Sequence, residues 1–203
     1  VTTIDPALAA DSLIRPTTKR AYSSAWWGMV GMITTESMIF LILLSAYFFL
    51  RASSAHWPPE GIRGPELRLA VPFSFLLWGS SLPVFYAEGA IKRGSQRGLR
   101  IGLLVSGIMG IGFIGFTLKD FHDLTFGWRD NAYASMFYTI VGLHALHVIV
   151  GVCMNALVEV KAWQGKFTAE RHTSVEVFSL YWHFVDAVWI FVFLSLFVSE
   201  AMR

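Results

Sequence analysis

Charge is scarce in this sequence. Lys, Arg, Asp and Glu make up 15% of its 203 residues, against roughly a quarter in a soluble globular domain, which excludes an ordinary water-soluble fold. Cysteine is scarcer still. Cys153 stands alone inside an apolar run, so there is neither a disulfide framework nor a Cys-based metal site. Glu-x-x-His, by which four-helix carboxylate bundles hold two metal ions, does not occur. No solenoid period or low-complexity tract is present, and no nucleic-acid partner is expected. The N-terminal residues lack the charged, apolar and small-residue order of a cleavable signal peptide. Residues 1–22, mixed and polar over 4–18, read as a cytoplasmic arm.

Long apolar runs fill the remainder. Hydrophobic residues reach 55% and mean hydropathy is +0.54. Stretches near 24–50, 69–91, 99–118, 133–158 and 175–199 are each long enough to cross a hydrocarbon core about 30 Å thick, which takes roughly 20 helical residues. The predicted fold is an all-α, polytopic membrane helix bundle of about five transmembrane helices occupying residues 23–203, with no separate soluble domain.

Basic residues set the expected orientation. With five crossings, the N-terminal arm (Arg15, Lys19, Arg20), the second loop (Lys92, Arg93, Arg97, Arg100) and the fourth loop (Lys161, Lys166, Arg171) share one side and hold most of the 16 basic residues. The positive-inside rule places that side, and the N-terminus, in the cytoplasm and the C-terminus outside.

Along the spans, Trp26-Trp27 suits the headgroup level. The loop His56-Trp57-Pro58-Pro59-Glu60-Gly61-Ile62 is stiffened by adjacent prolines and is expected to be anchored at the membrane surface by its tryptophan. Pro72 and Pro83 predict a kinked second span. Gly102, Ser106 and Gly110, four apart, form the small-residue stripe that lets two helices approach closely in lipid.

Ionisable residues inside spans are costly and mark polar arrangements. Glu36, midway along the first span in Thr34-Thr35-Glu36-Ser37, is expected to be protonated or bonded to a partner; it reads either as a proton-handling carboxyl or as a neutral acid bonded to a neighbouring helix. In the fourth span His144, His147, Gly151 and Asn155 share one helical stripe, and in the fifth Glu176, Ser179, His183 and Asp186 do the same. Facing stripes would let imidazoles and carboxylates satisfy one another as a buried polar network. The alternative is a metal or haem site using His144, His147 and His183.

Four motifs in order resemble one family. Tyr181-Trp182-His183-Phe184-Val185-Asp186, preceded by Glu176 and followed by Val188-Trp189, is the most specific. Gly142-Leu143-His144-Ala145-Leu146-His147-Val148-Ile149-Val150-Gly151 is similar to the family's Gly-Phe-His-Gly-Leu-His-Val-x-x-Gly. Glu36 and the interface loop Trp57-Pro58-Pro59 with Gly61-Ile62 complete the set. From about Trp26 to the C-terminus the chain resembles subunit III of the haem-copper respiratory oxidases, in the shorter five-helix bacterial form.

That resemblance implies a non-redox accessory subunit of a proton-pumping terminal oxidase in the bacterial plasma membrane. No catalytic residue, metal or cofactor is expected on this chain; haem and copper lie in partner subunits I and II. It implies packing against subunit I, bound phospholipid between helices, support of proton uptake, and protection of the catalytic subunit during turnover. Glu36 matches the family carboxyl that reacts with carbodiimides and inherits the link to proton handling. The loop and closing motif look more like cytochrome c oxidases than quinol oxidases; a quinol oxidase or nitric oxide reductase complex is the alternative setting. A transporter is disfavoured, because five unequal spans show no internal repeat. Lys119-Asp120-Phe121-His122-Asp123 departs from the family's Gln-x-x-Glu-Tyr, and no role is carried onto Lys119 or His122.

Overall fold

A computed structural model describes residues 23–59, 62 and 67–199. The arm at 1–22, Glu60 and Gly61 of the loop motif, and the last four residues lie outside the described residues. The described residues form helices only: α1 Ser24–Ser53, α2 Leu67–Gly79, α3 Ser81–Lys92, α4 Gln96–Asp123, α5 Ala132–Trp163 and α6 Thr173–Phe193, the last continued by a π-helical turn over Leu194–Val198. With α2 and α3 taken together, five helices are long and apolar enough to cross a membrane.

Local chemistry sets the ends. Ser23, Ser95 and Asn131 each accept a backbone N–H of the first turn of α1, α4 and α5, satisfying donors that have no partner within the helix. Gly94 (φ +77) and Gly165 (φ +69) close α3 and α5. After each glycine the chain makes the same pair of bonds, Ser95 N–H to Ala90 O and Gly94 N–H to Ile91 O, then Lys166 N–H to Lys161 O and Gly165 N–H to Ala162 O. This left-handed C-terminal motif needs a residue without a Cβ. The caps carry α4 and α5 several residues beyond their apolar runs.

The second span is interrupted at Ser80, between α2 and α3. Pro83 sits in the first turn of α3, where a missing N–H costs little. The small-residue stripe of α4 is a packing surface. A Cβ on Gly102 would lie 2.5 Å from Pro83 O and 2.7 Å from Ala87 Cβ, so α4 meets the backbone of α3 directly.

Helix α6 is the centre of the bundle. In its most apolar stretch 56% of residues are buried, against 11% in α1, which leans on α6 and α5 and leaves its outer face open. Trp182 of α6 wedges between α4 and α5; a Cβ on Gly110 would come within 2.7 Å of its ring and one on Gly151 within 2.9 Å. Its Nε1 donates to Ser80 Oγ at 2.9 Å, and Trp189 Nε1 donates to Ser74 Oγ at 2.9 Å. These two bonds pin α6 along the interrupted second span.

The loop after α1 differs from expectation. Trp57 is buried, its ring edge-on to Tyr47 and Tyr133 at centroid distances of 5.5 and 5.3 Å, with Nε1 donating to Tyr47 OH at 3.2 Å. The tryptophan therefore anchors the loop to the bundle and not to the membrane surface. An indole with an apolar body and one donor is satisfied best where a phenol lies inside the protein.

Candidate functional site

The ionisable side chains of the spans gather at two places. The first joins α1 to α5. Glu36 Oε2 lies 3.1 Å from His147 Nε2, and His147 Nδ1 donates to Leu143 O at 2.8 Å. A carbonyl only accepts, so Nδ1 carries a hydrogen. The Nε2 contact then holds one proton between the two groups, either as a carboxylic acid donating to a neutral ring or as an imidazolium donating to a carboxylate. Glu36 is thus hydrogen-bonded to a neighbouring helix, one of the two states expected for it. The Glu36 side chain is 27% exposed and that of His147 11%, so the pair sits at the outer margin of the bundle. Tyr181 OH donates to the His147 carbonyl at 3.1 Å, tying α6 to the same turn.

The second place joins α3 to α6. Ser81 Oγ lies 2.9 Å from His183 Nδ1 and also donates to Asp186 Oδ2. Phe85 stacks on the His183 ring at 3.9 Å and 22°. A pocket of about 260 Å³ opens beside it, lined by Trp26, Phe85, Glu88, Lys92, Glu176, Ser179, Leu180 and His183. Lys92 Nζ contacts Glu88 Oε1 at 2.5 Å, and Glu176 Oε1 lies 3.1 Å from Nε2 of the buried His172.

The polar network anticipated between the fourth and fifth spans is wired differently. No imidazole of α5 meets a carboxylate of α6 directly. His144 Nε2 donates to Val185 O at 3.2 Å, His147 takes Glu36 of the first span, and Asn155 Nδ2 donates to Ser106 Oγ of α4 at 2.9 Å. Gly151 faces the Trp182 ring. Glu176 and Glu36 are half-buried, and of the imidazoles and carboxylates of the two stripes only His144 and Asp186 are buried. The cause is register. The histidine stripe of α5 spreads over α1, α4 and α6, while His183 and Asp186 of α6 turn to α3.

His144, His147 and His183 face three separate partners and do not converge as one donor set. Among the described residues no group of three or more His, Cys, Asp or Glu side chains is placed to hold a metal ion. Sequence reasoning missed Ser81, together with Ser74, Ser80 and His172. A signal existed, since three hydroxyls in one apolar span each need a partner, but serine commonly bonds its own helix, as Ser74 does to Ala70 O at 2.8 Å.

Residues 13–200 match the family model for cytochrome c oxidase subunit III. Cytochrome c oxidase subunit 3 of Thermostichus vulcanus is 35% identical over 174 residues, covering 84% of this chain and 85% of that protein. The Synechocystis protein of the same name is 36% identical over 175 residues, covering 85% and 74%. That of Arabidopsis thaliana is 30% identical over 178 residues, covering 84% and 67%.

Proposed function

Because the chain belongs to the cytochrome c oxidase subunit III family, we propose that it docks against the haem-bearing subunit I, alongside subunit II, of an oxidase fed by cytochrome c in a bacterial plasma membrane. As subunit III of a haem-copper oxidase it is a multi-pass component of a larger complex. In this reading the N-terminus is cytoplasmic and the C-terminus outside. Haem and copper are held by the partner subunits. Phospholipid acyl chains fill the apolar groove of about 330 Å³ between α1 and α6, lined by residues such as Leu41, Leu44, Phe184 and Phe191. The Glu36–His147 pair, sharing one proton near mid-span, supports proton uptake by the complex.

One observation carries the accessory role. The family's closing motif is consumed by bonds between helices: Tyr181 to the His147 carbonyl, Trp182 to Ser80, and His183 and Asp186 to Ser81. A motif spent on holding helices together suits a scaffold better than a centre of electron transfer. Interhelical bonds in lipid are worth about 0.6 kcal/mol each on average, so several must act together.

The test is to strip this chain from the purified complex with detergent and take optical spectra of both fractions. All haem bands are expected to stay with the remaining subunits, which still reduce oxygen with cytochrome c as donor. A stoichiometric haem on the released chain would refute the accessory role, and turnover with quinol but not cytochrome c would move the complex to the quinol oxidases.

A further inference from the structure

The Ser81 hydroxyl is shared by two titratable groups on the facing helix, His183 Nδ1 at 2.9 Å and Asp186 Oδ2. A serine hydroxyl has one hydrogen to give and lone pairs to receive. It therefore donates to one neighbour and accepts from the other, and both directions fit this geometry. Either His183 Nδ1–H donates to Ser81 and Ser81 to the Asp186 carboxylate, or an Asp186 carboxylic acid donates to Ser81 and Ser81 to a bare Nδ1.

The far atoms of both groups, His183 Nε2 and Asp186 Oδ1, are buried and have no hydrogen-bond partner among the described residues. His183 also lines the polar pocket, which lies at one end of the bundle: Trp26 is in the first turn of α1, Glu176 in the first turn of α6, and Lys92 ends α3. At 1.5 Å per residue, His183 is about 10 Å and Asp186 about 15 Å deeper than Glu176. Ionisable groups thus step inward from the helix end in one file.

We propose that His183, Ser81 and Asp186 form a proton relay that moves one proton from the helix-end pocket to the carboxyl buried between α3 and α6. A proton that passes from the pocket, which the ring lines, to the buried Nε2 of neutral His183 makes an imidazolium. The Nδ1–H bond then breaks as a new O–H bond forms on Ser81, and the original Ser81 hydrogen passes to Asp186 Oδ2. The ring ends neutral with its hydrogen on Nε2, Asp186 ends as a carboxylic acid, and one proton has been taken up. Reversal returns it. Phe85 covers one face of the ring, which limits leakage to lipid.

The charged groups around the entry are Glu88 and Lys92 of α3 and Glu176 of α6, the last held by His172. From α1 the pocket receives Trp26, while Glu36 of that helix is engaged by His147 of α5. His144 of α5 bonds the Val185 carbonyl next to Asp186. The relay shares no residue with the Glu36–His147 pair.

Infrared difference spectra of the intact complex in lipid, recorded across a pH step, test it. A carboxyl band lost in Asp186→Asn and imidazole bands lost in His183→Gln are expected to change in the same step in the unsubstituted protein. Deuterium entry into the Asp186 carboxyl is expected to slow about 100-fold in Ser81→Ala, the scale of one positioned proton-transfer group, and to recover in Ser81→Thr. Unchanged exchange in Ser81→Ala would overturn the relay. Should that variant fail to assemble, the unsubstituted complex still decides: carboxyl and ring bands changing in separate steps, or no Asp186-dependent band, overturn it equally.

Discussion

Glu36→Gln and Glu36→Leu separate the two roles of the Glu36–His147 contact. The glutamine amide still donates to His147 Nε2, so this chain is expected to stay in the complex as firmly as before. Leucine leaves Nε2 unpartnered, at a cost of roughly 1–3 kcal/mol, and retention after a detergent challenge is expected to fall. Equal retention of both variants would show that the contact stabilises nothing. The partial exposure of Glu36 at the margin between α1 and α5 carries a second expectation: a lipid-soluble carbodiimide labels it faster than a water-soluble one, read by mass spectrometry of the labelled peptide. Glu36 was visible in the sequence because a lone carboxyl in an apolar run stands out. Ser81 stood out only as one of three hydroxyls in an apolar span, since its partners are set by the register between α3 and α6. Trp57 was misplaced for a related reason: composition shows an aromatic beside prolines but not that Tyr47 and Tyr133 form a slot for it.

Between helices, glycines offer the sharpest contrast. Gly102→Ala places a Cβ 2.5 Å from the Pro83 carbonyl, a backbone atom that cannot swing aside, and overpacking of this kind costs about 1–3 kcal/mol. Gly115→Ala on the same helix meets nothing within 4 Å and gains roughly 0.5–1 kcal/mol of helix propensity. Thermal denaturation of the two variants in the same detergent is expected to move in opposite directions; a shared direction would contradict the close α3–α4 approach. The stripe Gly102, Ser106 and Gly110 predicted close packing from spacing alone. The sequence did not show which neighbour each residue meets, and the three have different ones: α3 for Gly102, Asn155 of α5 for Ser106, and Trp182 of α6 for Gly110. The break in the second span was legible in its prolines: Pro83 has no N–H to give the Gly79 carbonyl one turn back, and the helix is interrupted at Ser80.

For the whole molecule, five apolar runs were enough to give the helix count, because hydropathy over a membrane-crossing length is a strong signal. Their arrangement around α6 was not legible, since the polar and small-residue stripes mark faces of three runs but do not say which helix each face meets. Large apolar side chains remain exposed along α1 and α4, among them Ile42, Phe49, Ile101 and Ile108, as suits a chain surrounded by lipid and partner subunits. Whether this chain works as an accessory component of an oxidase complex is decided by tagging it, extracting the native membrane in mild detergent and identifying what accompanies it. Co-purification with a haem-bearing oxidase subunit in equal amounts is expected; recovery only as a free homo-oligomer, with no oxidase subunit present, would contradict the accessory role.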